Sequence, residues 1–117
     1  MVFACSGAAD VGAIADQAAR KLTREKTAAM CCTAAIAAEV PDIVAKADLA
    51  TGMVVIDGCD KACAKSILEK SGFDKFAYVQ LISLGMEKGK TAVTEENIAK
   101  AANASAEALV RDGACGA

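Results

Sequence analysis

The chain has 117 residues and a formal net charge of −2. That length suits one folded domain over residues 1–117, and the charge excludes the basic surface typical of nucleic-acid-binding proteins. The absence of histidine excludes Ser-His-Asp and Cys-His catalysis and histidine-ligated metals. Six cysteines remain as the residues best able to carry chemistry.

The N-terminal segment has neither a basic stretch nor a long apolar run, so it does not look like a secretory signal. No window of the sequence approaches the run of about 18 apolar residues that spans a membrane. The sequence therefore predicts a cytoplasmic protein that binds neither membranes nor nucleic acid. In that compartment thiols stay reduced, so clustered cysteines indicate metal or redox chemistry more often than structural disulfides.

The first half of the chain alternates short apolar runs with helical patterns. Residues 2–5 form an apolar run that ends at a Ser-Gly turn. Asp10 is then a candidate N-cap for a helix that reaches about Arg24. Residues 28–32 are a second candidate strand, weakly marked because alanine is a poor strand former. Pro41 predicts the first turn of another helix.

The second half repeats this alternation. Residues 53–56 form the clearest strand, a continuous apolar run of the kind that is buried on both faces. A helix is expected to begin near Asp60, and a fourth strand is expected over residues 77–84. Acidic residues in a first turn predict a helix over 95–111. The Gly- and Ala-rich residues 112–117 are predicted to form a frayed tail.

This alternation of strands and helices predicts an α/β fold. Strands joined by crossover helices form a parallel sheet, and each crossover is right-handed. We therefore expect a small three-layer sandwich, with a four-stranded parallel sheet in the order 2-1-3-4 and helices on both faces.

Cysteines follow three of the four predicted strands. Cys5, Cys32 and Cys59 each lie where a strand ends, and the carboxyl ends of parallel strands share one edge of a sheet. Cys63 lies one helical turn beyond Cys59 and can face the same point. A single such cysteine would be interpreted as a small buried hydrophobe. Four together predict a thiolate site for a tetrahedral soft metal such as zinc.

The chain also resembles the DGC-domain family. The resemblance is carried by Cys5-Ser6-Gly7, by Asp57-Gly58-Cys59-Asp60-Lys61-Ala62-Cys63-Ala64, and by Leu84-Gly85-x-x-Lys88-Gly89-Lys90 followed by Thr94-Glu95-Glu96. These motifs occur in order over nearly the whole chain. The resemblance implies a protein that binds zinc through four cysteines and has no established biochemical role.

Carried onto this sequence, the four ligands of the family are Cys5, one of the pair Cys31 and Cys32, Cys59 and Cys63. The doubled cysteine is a departure, since the family usually shows one cysteine at that position. Cys32 is the preferred ligand because it lies further toward the exit of its strand. Cys31 is then a packed strand residue, although it is also a possible replacement for Cys32 as the ligand.

The loop of residues 85–91 resembles a phosphate-binding loop, but it is one residue short between its glycines and follows the fourth strand instead of the first. Nucleotide hydrolysis is therefore disfavoured. The loop is either a solvated basic turn or a cover over the cysteine site. In the second case Lys88 or Lys90 attracts a small anion or a thiol substrate, or offsets thiolate charge.

Three aspartates lie close to the candidate cysteines in sequence. Asp10 and Asp60 are predicted to be helix caps. Asp57 is interpreted as a turn cap, with a role as a proton acceptor in catalysis as the alternative. The helices that follow Cys5 and Cys59 point their positive ends at those cysteines, which favours thiolates.

Two classes of function fit these residues. The first is a zinc-binding protein with a structural, storage or delivery role. The second is a thiol-based redox enzyme or a carrier of sulfur or selenium, with Cys5 or Cys59 as the nucleophile. An iron–sulfur cluster in the same site is a third possibility. Cys115 is interpreted as an exposed tail thiol without a role, or as a resolving thiol.

Overall fold

Three short parallel strands form the centre of the molecule. The computed structural model describes residues 1–114. Its strands are β1 (Val2–Ala4), β2 (Val54–Asp57) and β3 (Ala77–Gln80), in the order β1-β2-β3. β2 is buried along its whole length and pairs with both neighbours, so the continuous apolar run correctly predicted the central strand.

The prediction of four strands is wrong, because residues 28–32 do not form one. Met30 makes an isolated parallel bridge to Val2. The Val2 N–H donates to the Ala29 carbonyl at 2.9 Å, and the Cys31 N–H donates to the Val2 carbonyl at 2.9 Å. The segment therefore lies beside β1, where the order 2-1-3-4 had placed it. Its alanine-rich sequence adds little strand preference, and a helix begins directly after it.

The last strand is also shorter than predicted. It ends at Gln80, and Leu81–Leu84 form a 3₁₀ helix that Gly85 terminates with a φ of 83°. Glycine adopts this left-handed conformation without a steric penalty. The turn directs the loop of residues 85–91 back over the edge of the sheet.

Residues 1–114 contain five α-helices. They are α1 (Asp10–Arg24), α2 (Thr33–Ala37), α3 (Pro41–Asp48), α4 (Cys63–Lys70) and α5 (Glu95–Asp112). Pro41 opens α3, and the Thr94 hydroxyl caps α5 by accepting from the Asn97 N–H at 3.2 Å. The sequence did not predict α2. Within the described residues, no helix is both long enough and apolar enough to cross a membrane.

The helices cover both faces of the sheet, as predicted. One apolar cluster joins α1 and α5 to the side chains on one face, including Val2 and Val54. The other joins α2, α3 and α4 to the opposite face, including Phe3 and Val55. Successive residues of β1 and β2 thus contribute to opposite layers, as strand geometry requires.

The C-terminal segment is attached to the sheet, contrary to the prediction that residues 112–117 fray. The Gly113 carbonyl accepts the Met53 N–H at 2.8 Å, and Ala114 forms an antiparallel bridge with Gly52. The prediction is therefore wrong for residues 112–114. Cys115 and the last two residues lie outside the described residues.

Candidate functional site

The described cysteines gather at one edge of the sheet. Cys5 directly follows β1, and Cys59 lies two residues beyond β2. Cys32 is the N-cap residue of α2 and Cys63 is the first residue of α4. Because the strands are parallel, their carboxyl ends share this edge. Cys5 and Cys59 thus follow strands of the sheet, whereas Cys32 follows a segment that is not a strand.

Cys5 lies between two cavities. The first, of about 530 Å³, is lined by Cys5, Cys59, Cys63, the beginning of α1 and two lysines, Lys61 and Lys88; we call it the Cys59 cavity. The second, of about 560 Å³, is lined by Cys5, Cys31, Cys32, Met30 and the pair Asp16 and Arg20; we call it the Cys32 cavity. Each cavity therefore contains three cysteines, and Cys5 belongs to both.

The cysteines differ in exposure. Cys5 and Cys59 are half-buried, whereas Cys32 and Cys63 are exposed. Cys31 is only 9% exposed and packs in the apolar cluster under α2. Of the doubled pair, Cys32 is thus the thiol that solvent reaches, which agrees with the preference for Cys32 as the ligand.

A preformed metal centre is not present among the described residues. Over residues 1–114, no three His, Cys, Asp or Glu side chains lie close enough together to hold a metal ion. The thiols suit a soft metal chemically, but they are distributed on both sides of Cys5.

Close backbone packing supports the Cys59 cavity. A Cβ atom added at Gly58 would lie 2.7 Å from the Val11 carbonyl carbon, and one added at Gly12 would lie 2.4 Å from the Gly7 carbonyl oxygen. The turns around Cys5 and Cys59 therefore contact the first turn of α1 through glycine. The Gly58 N–H also donates to the Cys5 Sγ at 3.4 Å.

Left-handed residues flank two of the cysteines. Ser6 has a φ of 51° and Ala62 has a φ of 52°, directly beside Cys5 and Cys63. Lys26 and Glu39 also have positive φ values, but they follow helix ends, where that conformation is common. Ser6 and Ala62 have no such explanation, and strain of this kind occurs preferentially at ligand-binding positions.

Asp57 caps the start of α4, whereas the sequence favoured a turn cap. Its carboxylate is 1% exposed and accepts hydrogen bonds from the Ala64 N–H at 2.9 Å, the Lys65 N–H at 3.0 Å and the Tyr78 hydroxyl at 3.0 Å. The prediction that Asp60 caps this helix is wrong, because α4 begins only at Cys63 and its first N–H groups point to Asp57.

The Tyr78 hydroxyl remains a proton donor to Asp57 at neutral pH. Burial raises the pKa of Tyr78, and the neighbouring Asp57 carboxylate raises it further. The Gln80 side chain donates to the same hydroxyl at 3.2 Å. The buried polar groups beneath α4 are therefore mutually satisfied.

Asp10 is not the N-cap that the sequence predicted; Ala9 holds that position. The Asp10 carboxylate instead accepts from the Gly89 N–H at 2.9 Å and the Thr91 N–H at 3.1 Å. These two bonds, the one from Gly89 first, lower the pKa of Asp10. They fix the loop of residues 85–91 against α1, beside the Cys59 cavity.

The two lysines named in that loop have different surroundings. Lys90 pairs with Glu87 at 3.6 Å and does not line the Cys59 cavity. Lys88 lines the cavity together with Lys61, and neither forms an ion pair within the described part of the chain. Lys61 was not among the predicted site residues, although its position between Cys59 and Cys63 was the available signal.

The first N–H groups of α1 and α4 form side-chain hydrogen bonds to carboxylates. The Val11 N–H donates to Asp10 and the first N–H groups of α4 donate to Asp57. Carboxylates therefore occupy both positive helix ends. The backbone donor that does reach a thiol is the Gly58 N–H, which bonds Cys5.

Comparison with known proteins identifies the family. The DGC domain family matches residues 1–105, and the chain belongs to that family. The chain is also 31% identical over 88 residues to the anaerobic and virulence modulator AnvM of Pseudomonas aeruginosa, covering 75% of this chain and 67% of that protein. No solved structure matches the chain.

Proposed function

We propose that this member of the DGC domain family binds a soft metal ion, zinc first among them, through Cys5, Cys32, Cys59 and Cys63. The observation that carries the proposal is the position of Cys5, which lines both cysteine cavities at the carboxyl edge of the sheet. A ligand at this position can join the thiols of both sides around one ion. We also propose a cytoplasmic location, where these thiols stay reduced.

The choice of the fourth ligand rests on exposure. Cys32 is exposed at the start of α2, so its side chain can change rotamer without disturbing the core. Cys31 packs among apolar side chains that include Ile36 and Phe3, and moving it would open a void. We therefore assign Cys32 as the fourth ligand, and Cys31 stays in the core.

The exposure of two of the proposed ligands favours the rearrangement that metal binding requires. Cys63 is also exposed, so two of the four ligands are side chains that solvent already surrounds. Cys5 and Cys59 stay half-buried and fixed by the glycine contacts beneath them. Binding thus orders two exposed side chains around two that the fold already positions.

The surrounding charges suit a thiolate site. Four thiolates around a divalent ion carry a net negative charge, and such charge is stabilised by nearby donors and cations. The Gly58 N–H is a donor to Cys5, and Lys61 and Lys88 are the cations of the Cys59 cavity. When bound, zinc would fix the geometry of the sheet edge, and no reaction is assigned to it.

Elemental analysis of the purified protein and its serine variants tests the proposal. We expect stoichiometric metal in the wild type and its loss in Cys59→Ser and Cys5→Ser, because a harder ligand at a central position weakens a thiolate site. Cys32→Ser should lose most of the metal, and Cys31→Ser, its matched control, should retain it. Cys115→Ser should also retain it. A wild-type protein purified and reconstituted without bound metal would overturn the proposal.

A further inference from the structure

We propose that the Cys59 cavity binds small anionic disulfides and that Cys63 exchanges with them to form a mixed disulfide. The inference uses the same cavity as the proposed metal site, but it does not require a metal. It rests on three features of the cavity: its volume of about 530 Å³, its exposed thiol and its two cations. A molecule of two short thiol halves is of a size that such a cavity can hold.

The cations of the cavity are available to a ligand. Lys61 and Lys88 line it, and neither forms an ion pair with another residue of the 1–114 segment. Asp57 also lines the cavity, but its oxygens already accept two N–H groups and the Tyr78 hydroxyl. An entering carboxylate therefore meets two exposed ammonium groups, while the Asp57 carboxylate is buried and hydrogen-bonded to the protein.

Three acidic residues near Lys88 do not line this cavity, namely Asp10, Asp60 and Glu87. Asp60 and Glu87 line the neighbouring depression, with Lys88 between it and the Cys59 cavity. Glu87 is paired with Lys90. Both exposed charged side chains that line the Cys59 cavity are therefore lysines, which favours the binding of anions.

Cys63 is the thiol in reach of such a ligand. It is exposed at the first position of α4, whereas Cys5 and Cys59 are half-buried deeper in the cavity. Lys61 lies two residues before it in the turn that carries Cys59. Cys63 and both lysines line the same cavity, so a disulfide that the lysines bind shares this cavity with an exposed thiol.

The exchange is balanced without another reactant. The Cys63 thiolate attacks one sulfur of the disulfide, the S–S bond of the ligand breaks, and a new S–S bond forms between Cys63 and one half. The other half leaves as a thiolate and takes up a proton from solvent. The Cys63 sulfur is oxidised and the departing half is reduced.

The Cys32 cavity provides an internal reference within the same molecule. Cys32 is also an exposed thiol at the start of a helix. The cation on that side is Arg20, whose Nε contacts the Asp16 carboxylate at 2.7 Å. Its charge is therefore balanced, so Cys32 should react with disulfides without preference for their charge.

The experiment compares three disulfides of similar size on the full chain at low salt: anionic dithiodipropionate, neutral hydroxyethyl disulfide and cationic cystamine. Mass spectrometry of peptides measures the ratio of modification at Cys63 to that at Cys32, which cancels the intrinsic reactivity of each reagent. We expect this ratio to be roughly tenfold higher for the anionic reagent than for the cationic one, and to fall as salt is added. The double variant Lys61→Gln/Lys88→Gln should remove the preference, and the control Lys90→Gln should keep it.

Equal ratios for the three reagents, or a preference that survives in the double variant, would overturn the inference. Circular dichroism of each variant checks that it is folded. Metal content is measured on the same samples before and after chelation, and the exchange is run on the chelated protein. A charge preference in a protein that never binds metal would reject the proposed function alone, and a metal-binding protein without the preference would reject this inference alone.

Discussion

The two cysteine cavities are alike in size and thiol content but differ in how the fold supports them. Both contain Cys5 and one exposed cysteine at a helix start. The Cys59 cavity rests on glycine contacts with α1 and on a buried aspartate. The segment of the Cys32 cavity joins β1 through one isolated bridge and through the Thr33 hydroxyl, which donates to the Ala4 carbonyl at 2.8 Å. One side of the site is therefore rigidly positioned, and the other is positioned by few backbone contacts.

The glycine contact is the strongest test of this difference. Gly58→Ala should destabilise the fold by about 3 kcal/mol, because its Cβ would lie 2.7 Å from backbone atoms that cannot move cheaply. Gly7→Ala is the matched control, since a Cβ there would approach only the Cys5 sulfur, at 3.9 Å. Urea denaturation measures both variants. Equal stabilities would show that the rigid support of the Cys59 cavity does not depend on this contact.

The buried cap beneath α4 gives the next largest effect. Asp57→Asn should cost about 2 kcal/mol of unfolding free energy, because hydrogen bonds to a buried charged acceptor are lost. Asp60→Asn, on the exposed turn, should change stability by less than about 0.5 kcal/mol. Urea denaturation curves measure the free energy of unfolding of both variants. A larger loss in the Asp60 variant would restore the cap that the sequence predicted there.

Metal removal should affect local order more than the fold. The apolar core of β2, α4 and β3 is complete without an ion, in contrast to a zinc finger, which unfolds when stripped. We therefore expect the helical circular dichroism signal to persist after chelation, with order lost mainly in residues 5–10, 32–38 and 57–62. Hydrogen exchange locates that loss. Collapse of the helical signal would mean that the metal organises the core.

The smallest expected effect is the contribution of Asp10 to the pH dependence of the free energy of unfolding. Its pKa is held below the ordinary value of 3.8, so its stabilising contribution is present above that value and is lost as the pH falls through the folded-state pKa. Asp10→Asn should make unfolding free energy less dependent on pH in this range. It should also speed hydrogen exchange at the Gly89 and Thr91 amides. Unchanged exchange would show that Asp10 does not hold the loop.

Local patterns in the sequence predicted the long elements well. The predicted bounds of α1 and α5 each differ from the structure by one residue, although the N-cap predicted for α1 was wrong. The run at residues 53–56 gave the central strand within one residue. The order β1-β2-β3 matches the last three positions of the predicted order 2-1-3-4.

The remaining errors concern contacts between distant parts of the chain. Whether residues 28–32 extend into a strand depends on pairing with β1, which alanine neither favours nor prevents strongly. Asp57 and Asp10 bind partners 7 and 79 residues away, which cap patterns in the sequence do not encode. The close approach of Gly58 to Val11 is likewise invisible without the fold.

X-ray absorption at the zinc edge tests the central claim most directly, because it counts the sulfur atoms around the ion in the zinc-reconstituted protein. If the four cysteines bind zinc, we expect four sulfur ligands at about 2.3 Å in the wild type and fewer in Cys32→Ser. The spectrum of Cys31→Ser should be unchanged. A wild-type spectrum with oxygen or nitrogen neighbours in place of sulfur would contradict that claim. So would a spectrum that Cys5→Ser leaves unaltered, since Cys5 is the thiol that belongs to both cavities.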